Sequence, residues 1–539
     1  MPEEMTKTWQ DYEKGIDYKT RIGLYAEVDR NERVYAGKQW EGIPSANMPK
    51  PVINICKTGV AWKVAAVADR RLSLKFSVNG KSEDADIKAY IKQVNEYVGA
   101  VWERLKMDYI KNDVLKSAAI TGDGVLYFPW DPKIKTGQDV TGDISAQLVD
   151  NVNYYPGDVN TPDVQDQPYI ILSFRTLVSK AKAEAKSNKV SAEQIQLITG
   201  DNDNDHTSGD MGKIELDDSS KCTVLLKFTK NDDGFVVMEK STRAVDIMPK
   251  TTTKLTRYPI ALMNWETRKN SCHGTAEITE LIPNQVSINK IAALAIVCLM
   301  NMGFPKVVYD KNRTDGGEWQ DELGVPIGIN GDVSGAAQYL SPGTMSYDVK
   351  SWFKEVIDQT FDMMGANSAV RGNINDPDNT SALIAVRDMA MVPLAAQQDR
   401  FYSFDEDCGL IILDYIKGYY EGREIPIKAK IETMDATGQT VVQEVVTYVP
   451  MPDLSKYELS VKIDVGPSTT WSEIQSIQTL DALLKGGYLT PAQYYKRIEP
   501  FGYIPEVEEL IEYWTKKQEM QEQVEQAQAM MAMQPQATA

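Results

Sequence analysis

Histidine is almost missing from this chain. Two residues in 539, His206 and His273, carry imidazole. So few leave no basis for a histidine-built metal centre or a histidine triad. Cysteine is scarce as well: Cys56, Cys222, Cys272, Cys298 and Cys408 lie far apart, with no C-x-x-C pair. That spacing argues against a disulfide framework or a zinc site and suits a reducing compartment. Long basic runs are absent too. Lys plus Arg number 58 against 77 Asp plus Glu, a net charge of −19. A protein that grips DNA by its phosphates needs a basic face. This chain therefore either does not meet nucleic acid, as an ordinary acidic cytosolic protein would not, or meets it loosely. A channel through which DNA slides belongs to the second class, because each tight phosphate contact would act as a brake. The most apolar segment, near Thr275 to Met302, carries Glu277, Glu280 and Lys290, so no membrane span is read. The polar start MPEEMTKTWQDYEKG gives no signal peptide.

Catalytic motifs are missing or fail on inspection. Neither G-x-S-x-G nor H-E-x-x-H occurs. Gly80-Lys81-Ser82 matches the tail of a phosphate-binding loop, but Lys75 stands where the motif needs its first glycine. Asp201 to Asp210, DNDNDHTSGD, places acidic oxygens at alternate positions as calcium loops do. His206 replaces the glycine at the sixth position and Gly212 the glutamate at the twelfth, which favours a solvated loop. His273 lies just before a helix and reads as part of its start. No pair of carboxylates has acid/base spacing. The expectation is a protein that is not an enzyme, with no cofactor and no metal.

What is present is an order of elements. At 42% hydrophobic and 25% charged residues, a chain of this length can bury several cores. Residues 1 to about 45 read as helical. Pro49 to Val78 reads as an extended lead, a helix and a strand, and residues 82 to 120 as amphipathic helices. Ile120 to Asp131 is a turn and strand, DPKIKTGQDVTGD a hairpin tip, and Leu148 to Asn160 a strand and loop. A surface helix pair follows, then a mobile loop over 200 to 220. Strands resume with KCTVLLKFTK, DGFVVMEKS and RYPIALMNWE. A helix near Thr275 to Met302 leads to a turn-rich insert, Phe304 to Asp348, with short extended runs KVVY, VPIGI and AQYL. A second helix runs from Val349 to Met364. The loop GANSAVRGNINDPDNT, Gly365 to Thr380, leads to a long helix from Ser381 to Tyr420. That helix would reach ~60 Å if straight, with a kink at Pro393. A β-hairpin, a strand ending at Gly466-Pro467, a helical module broken at Gly486-Gly487, a helix from Pro505 and a low-complexity end complete the chain. IAALAIVCLM, Ile291 to Met300, is apolar all round, as expected of a helix with neighbours on more than one side; a buried core helix would read the same way.

This order resembles the portal proteins of tailed bacteriophages. The residues that carry the likeness are HGTAEITELIPNQVSINK with Gln285 and Asn289, RYPIALMNWE before it, TGDGVLYFPWD, DNTSALIAVRDMAMVPLAAQQDRF and KIDVGPSTTWSEIQ. The start RNERVYAGKQWEG with PVIN adds to it. Pro393 and the polar stretch 200–220 depart from the pattern. The resemblance implies an α+β, portal-type multidomain subunit. Its parts would be a wing over 1–270, a first stem helix over 271–302, a clip over 303–348 and a second stem helix over 349–364. A tunnel loop over 365–380, a long wing helix over 381–421, a wing β-return over 422–468 and a crown with a disordered tail over 469–539 would follow. It further implies a homo-oligomeric ring, usually twelvefold, at the unique capsid vertex of the virion, assembled in the host cytoplasm. Its partners would be double-stranded DNA held loosely, the terminase large subunit, then the head-tail adaptor, and the major capsid and scaffolding proteins, with no membrane. The packaging motor is a separate protein in such systems, which agrees with the failed phosphate loop. Arg371, the only cation of the loop, is the first candidate to meet DNA, with Asn373, Asn375 and Lys290 beside it. Two other classes fit the residues: another structural virion component or binding scaffold without a channel, and a hydrolase with a cryptic site.

Overall fold

Thr6 starts the first helix, its Oγ1 accepting the Trp9 N–H at 3.2 Å. That helix, α1 (Lys7–Arg21), is followed by α2 (Leu24–Tyr35), α3 (Ile55–Val67), strand β1 (Leu72–Val78), α4 (Ala85–Leu105) and α5 (Met107–Thr121). The computed structural model describes residues 5–44, 48–68, 72–78, 85–135, 141–201, 221–303, 307–313, 329–332, 334–335, 337–339, 347–365, 392–420, 423–434, 440–450, 459–465 and 470–498, with 507, 510–511, 513–518 and 520. The chain divides into two units, residues 1–68 with 74–463, and residues 69–73 with 464–539.

In the larger unit, β2 (Asp123–Tyr127), β3 (Trp130–Lys135), β4 (Thr141–Ile144), β5 (Gln147–Val149) and β6 (Tyr154–Pro156) lead into the long β7 (Tyr169–Leu177). Helices α6 (Val178–Ser187) and α7 (Ala192–Gln196) precede β8 (Lys221–Lys230), β9 (Val236–Ser241), β10 (Asp246–Thr252) and β11 (Ile260–Asn264). An antiparallel sheet of order β10-β9-β8-β7-β6 forms the centre, and a second sheet runs β11-β2-β5. Strand β8 is buried from Cys222 to Phe228 because both sheet faces are covered. Leu225 packs with Trp9 and Tyr12 of α1, whereas Cys222 and Val224 pack with Ala181 and Ala185 of α6. The charge inside β8 is matched: buried Lys227 donates to Asp11 at 2.8 Å. Strand β10 was not read in the sequence, since Pro249 and two register shifts against β9 break its alternation.

Two tiny strands, β12 (Glu266–Thr267) and β13 (Gly274–Thr275), lead into α8 (Glu277–Gly303). Beyond it, β14 (Val307–Tyr309) pairs antiparallel with β15 (Ala337–Tyr339), and α9 (Tyr347–Met363) follows. The run VPIGI lies outside the described residues except for Ile329, as do 136–140, 202–220 and Gly80 to Ser82. A 3-10 turn, Val392–Leu394, opens α10 (Ala395–Tyr419). Among the described residues the α-helix runs from Ala395, after a 3-10 turn that contains Pro393; the stretch from Ser381 to 391, where the sequence predicts the start of one long helix kinked at Pro393, lies outside them. The hairpin β16 (Glu424–Met434) and β17 (Thr440–Pro450) pairs over its whole length, from Glu424 opposite Pro450 to Met434 opposite Thr440.

The smaller unit contains α11 (Thr470–Lys485) and α12 (Pro491–Ile498), separated by Gly486-Gly487. Thr490 and Gln493 cap α12 reciprocally: each backbone N–H donates to the other's side-chain oxygen at 3.3 Å, with Pro491 at the first helical position. Tyr494 of α12 donates its hydroxyl hydrogen to Asp481 of α11.

Candidate functional site

The start of α8 is fixed by its polar residues. Glu277 accepts from Lys63 of α3 at 2.6 Å and from the Trp265 indole at 3.0 Å. About two and three turns on, Gln285 and Asn289 stand on one face, four residues apart. Gln285 Oε1 accepts the Ile55 and Cys56 N–H groups at 2.9 and 3.2 Å, so an α8 side chain serves donors that open α3. Gln285 Nε2 donates to the Ile53 carbonyl at 2.6 Å. Asn289 accepts from Ile53 N at 3.1 Å and donates to Gln39 at 2.6 Å. Gln285 and Asn289 were noted in the sequence as part of a likeness; their task as a clamp on the lead into α3 was not. A buried i,i+4 pair of amides on an otherwise apolar helix face is the signal that could have disclosed it. Pro283 inside α8 was also passed over, and Ser287 donates its hydroxyl to the Pro283 carbonyl at 2.9 Å.

The two halves of α8 differ. Ile278, Leu281, Ile288, Ala292 and Ala293 are buried. Past Ala293 no described side chain of the helix is buried, although the sequence stays apolar. Leu294, Leu299 and Met300 are 58%, 61% and 56% exposed. The reading of Ile291 to Met300 as an ordinary core helix therefore fails within the protomer. By length and composition Glu277–Met300 could also cross a membrane. Partner helix α9 behaves alike: Trp352 and Met363 are 54% and 70% exposed, and only Thr360 and Met364 are buried among its described side chains and cap. Asn284 ties the two helices, donating to Thr360 Oγ1 at 3.4 Å.

Of the candidate DNA-facing residues, Lys290 is an exposed side chain on α8. Arg371, Asn373 and Asn375 lie outside the described residues, so the four are not brought together. The chain on either side of them is described. Gly365, at φ +70, closes α9, and a Cβ built there would lie 3.6 Å from Pro393 Cβ. The flanks of the undescribed residues 366–391, Gly365 and Pro393, thus lie side by side.

Ahead of α8 lies a buried polar knot that could have been catalytic. His273 Nδ1 meets Asp123 Oδ2 at 2.7 Å, while Asp123 Oδ1 accepts from Asn264 and from the Gly274 N–H, each at 2.7 Å. Cys272 is beside them, its thiol pushed up to about 12 by burial, with Asp123 adding to the effect. Lys19 donates to the Asn151 and Val152 carbonyls at 2.7 and 2.9 Å, and burial pulls its ammonium down to about 7. His273 and Asp123 are 2% and 1% exposed, closed off from solvent in this structure. The knot fixes the β2, β13 and α8 junction instead, and His273 is part of that support. In the calcium-like stretch, Asp201 is engaged by Arg175 and by Thr223 N at 2.8 Å. Among the described residues no cluster of His, Cys, Asp or Glu could hold a metal.

The family described as Phage P22-like portal protein matches residues 246–539, from the first residue of β10 through α8, α9, α10 and the smaller unit. The chain belongs to the P22-like phage portal family. The match covers more than half of the chain and contains the exposed apolar helix pair. Residues 1–245, with TGDGVLYFPWD and RNERVYAGKQWEG, lie outside it. No curated protein matches the chain. Membership makes it a bacteriophage capsid component concerned with genome packaging.

Proposed function

We propose that this chain is the subunit of the portal ring at the unique capsid vertex, through which the genome is packaged and later ejected. The observation that carries the proposal is the apolar end of α8, which leaves the protomer unburied within the segment that matches the portal family. Each large apolar side chain covered on assembly contributes about 1.5–3 kcal/mol. Leu294, Leu299, Met300 and Trp352 repeated around a closed ring supply an apolar wall between subunits. A ring of twelve is consistent with the family. The terminase large subunit docks at the narrow end built on β14 and β15, and the head-tail adaptor replaces it after packaging. Major capsid and scaffolding proteins meet the wing.

DNA passes without being gripped. The chain carries −19 net charge, and Arg371 is the only cation in residues 365–380. One phosphate contact per subunit is a small term that salt screens. The ring itself hydrolyses no nucleotide; the motor does. A phage whose own copy is replaced by a Leu294→Asp, Leu299→Asp variant tests the proposal. It should yield no DNA-filled heads, while the purified variant keeps its circular dichroism spectrum. Normal filled heads from that variant would contradict it.

A further inference from the structure

Gly59 sits inside α3, where glycine weakens a helix by about 0.5–1 kcal/mol relative to alanine. The structure supplies a reason for it. A Cβ at Gly59 would lie 2.2 Å from Met364 Sδ and 2.7 Å from its Cε, so the thioether rests directly on the α3 backbone. Met364, the residue after α9, is 1% exposed. Its successor Gly365 approaches Pro393, as described above. A few residues on, Gln398 of α10 donates from Nε2 to the Ala66 carbonyl near the end of α3 at 3.3 Å. The chain before 366 and the chain after 391 therefore both rest on α3, whose own first turn is held by Gln285.

We propose that α3 is the common seat for both ends of residues 366–391, with Gly59 as the notch that positions Met364. The two ends then shift only together and only with α3. A pull on either end passes into α3, and through Gln285 into α8. This deepens the portal reading, in which 366–391 holds the channel-facing loop. It rests on that reading for its use, whereas the test below requires no ring activity and fails or succeeds separately.

The test is hydrogen exchange on the purified full-length protein, following peptides over 355–365, 392–400 and 55–67, with β7 and β8 as internal reference. Gly59→Ala drives Met364 out of the notch, and Met364→Ala leaves the notch empty. Each should raise exchange at both 361–365 and 392–398 by at least about fivefold, leaving the reference unchanged. Met364→Leu, of similar volume, should stay near wild type. Adding Met364→Ala to Gly59→Ala should lower exchange below that of Gly59→Ala alone, because the colliding atoms are gone. Should Gly59→Ala fail to fold, Met364→Ala alone carries the test. A rise confined to 361–365 would reduce Met364 to local packing and overturn the shared seat. No rise, or an equal rise in the reference strands, would overturn it as well.

Discussion

At the scale of single residues, several described polar side chains hold the joints between elements. Gln285 is the clearest case. Gln285→Ala leaves the Cys56 N–H without its acceptor in a buried setting, and a stranded buried donor costs about 1–3 kcal/mol. The variant should lose about 2 kcal/mol in urea unfolding with an unchanged slope; a loss within error of zero would remove the clamp from the account. Asp405 gives a pH test. It is buried on α10, with Lys111 Nζ 3.3 Å from Oδ2 and, among the described residues, no partner at Oδ1. Burial raises its carboxyl from 3.8 to about 6, against the pull of Lys111. A folded value above the unfolded one means that the folded state holds the proton more firmly. The stabilising contribution is then full below 3.8 and is lost as pH rises through about 6. Asp405→Asn should flatten that part of the melting-temperature profile relative to wild type. Parallel profiles for the two proteins between pH 4 and 7 would contradict the assignment.

At the scale of elements, the readable parts were those whose pattern is local. The start and end of α8 and of α9 follow from helical periodicity and the glycines and prolines around them, and the break between α11 and α12 from Gly486-Gly487. Strand β10 is hidden from a local reading because its pairing with β9 is irregular. The roles of Gly59 and Met364 are illegible locally: one lies in α3 and the other just past the end of α9, far apart in sequence, and they matter only where the two meet. Of the channel candidates, Lys290 falls on a described residue, an exposed position of α8, and Arg371, Asn373 and Asn375 lie outside the described residues. The insert between α8 and α9 carries its own prediction. Deleting residues 304–348 should abolish packaging while the β7–β8 sheet keeps its exchange protection, because β14 and β15 pair with each other and not with that sheet. Packaging at normal yield by the deletion would remove the docking role from the insert.

At the scale of the whole molecule, the same facts point in one direction. An acidic chain with no long basic run suits a conduit for DNA better than a clamp. A helical pair that leaves its apolar end uncovered suits a subunit whose surface is completed by copies of itself. Membership in the portal family joins the two. Negative-stain imaging of the purified full-length protein is the most direct measurement of that claim. The account predicts top views of closed rings with a central hole, twelve subunits being the family-consistent count. Compact single particles without a hole, across a range of protein and salt concentrations, would contradict it.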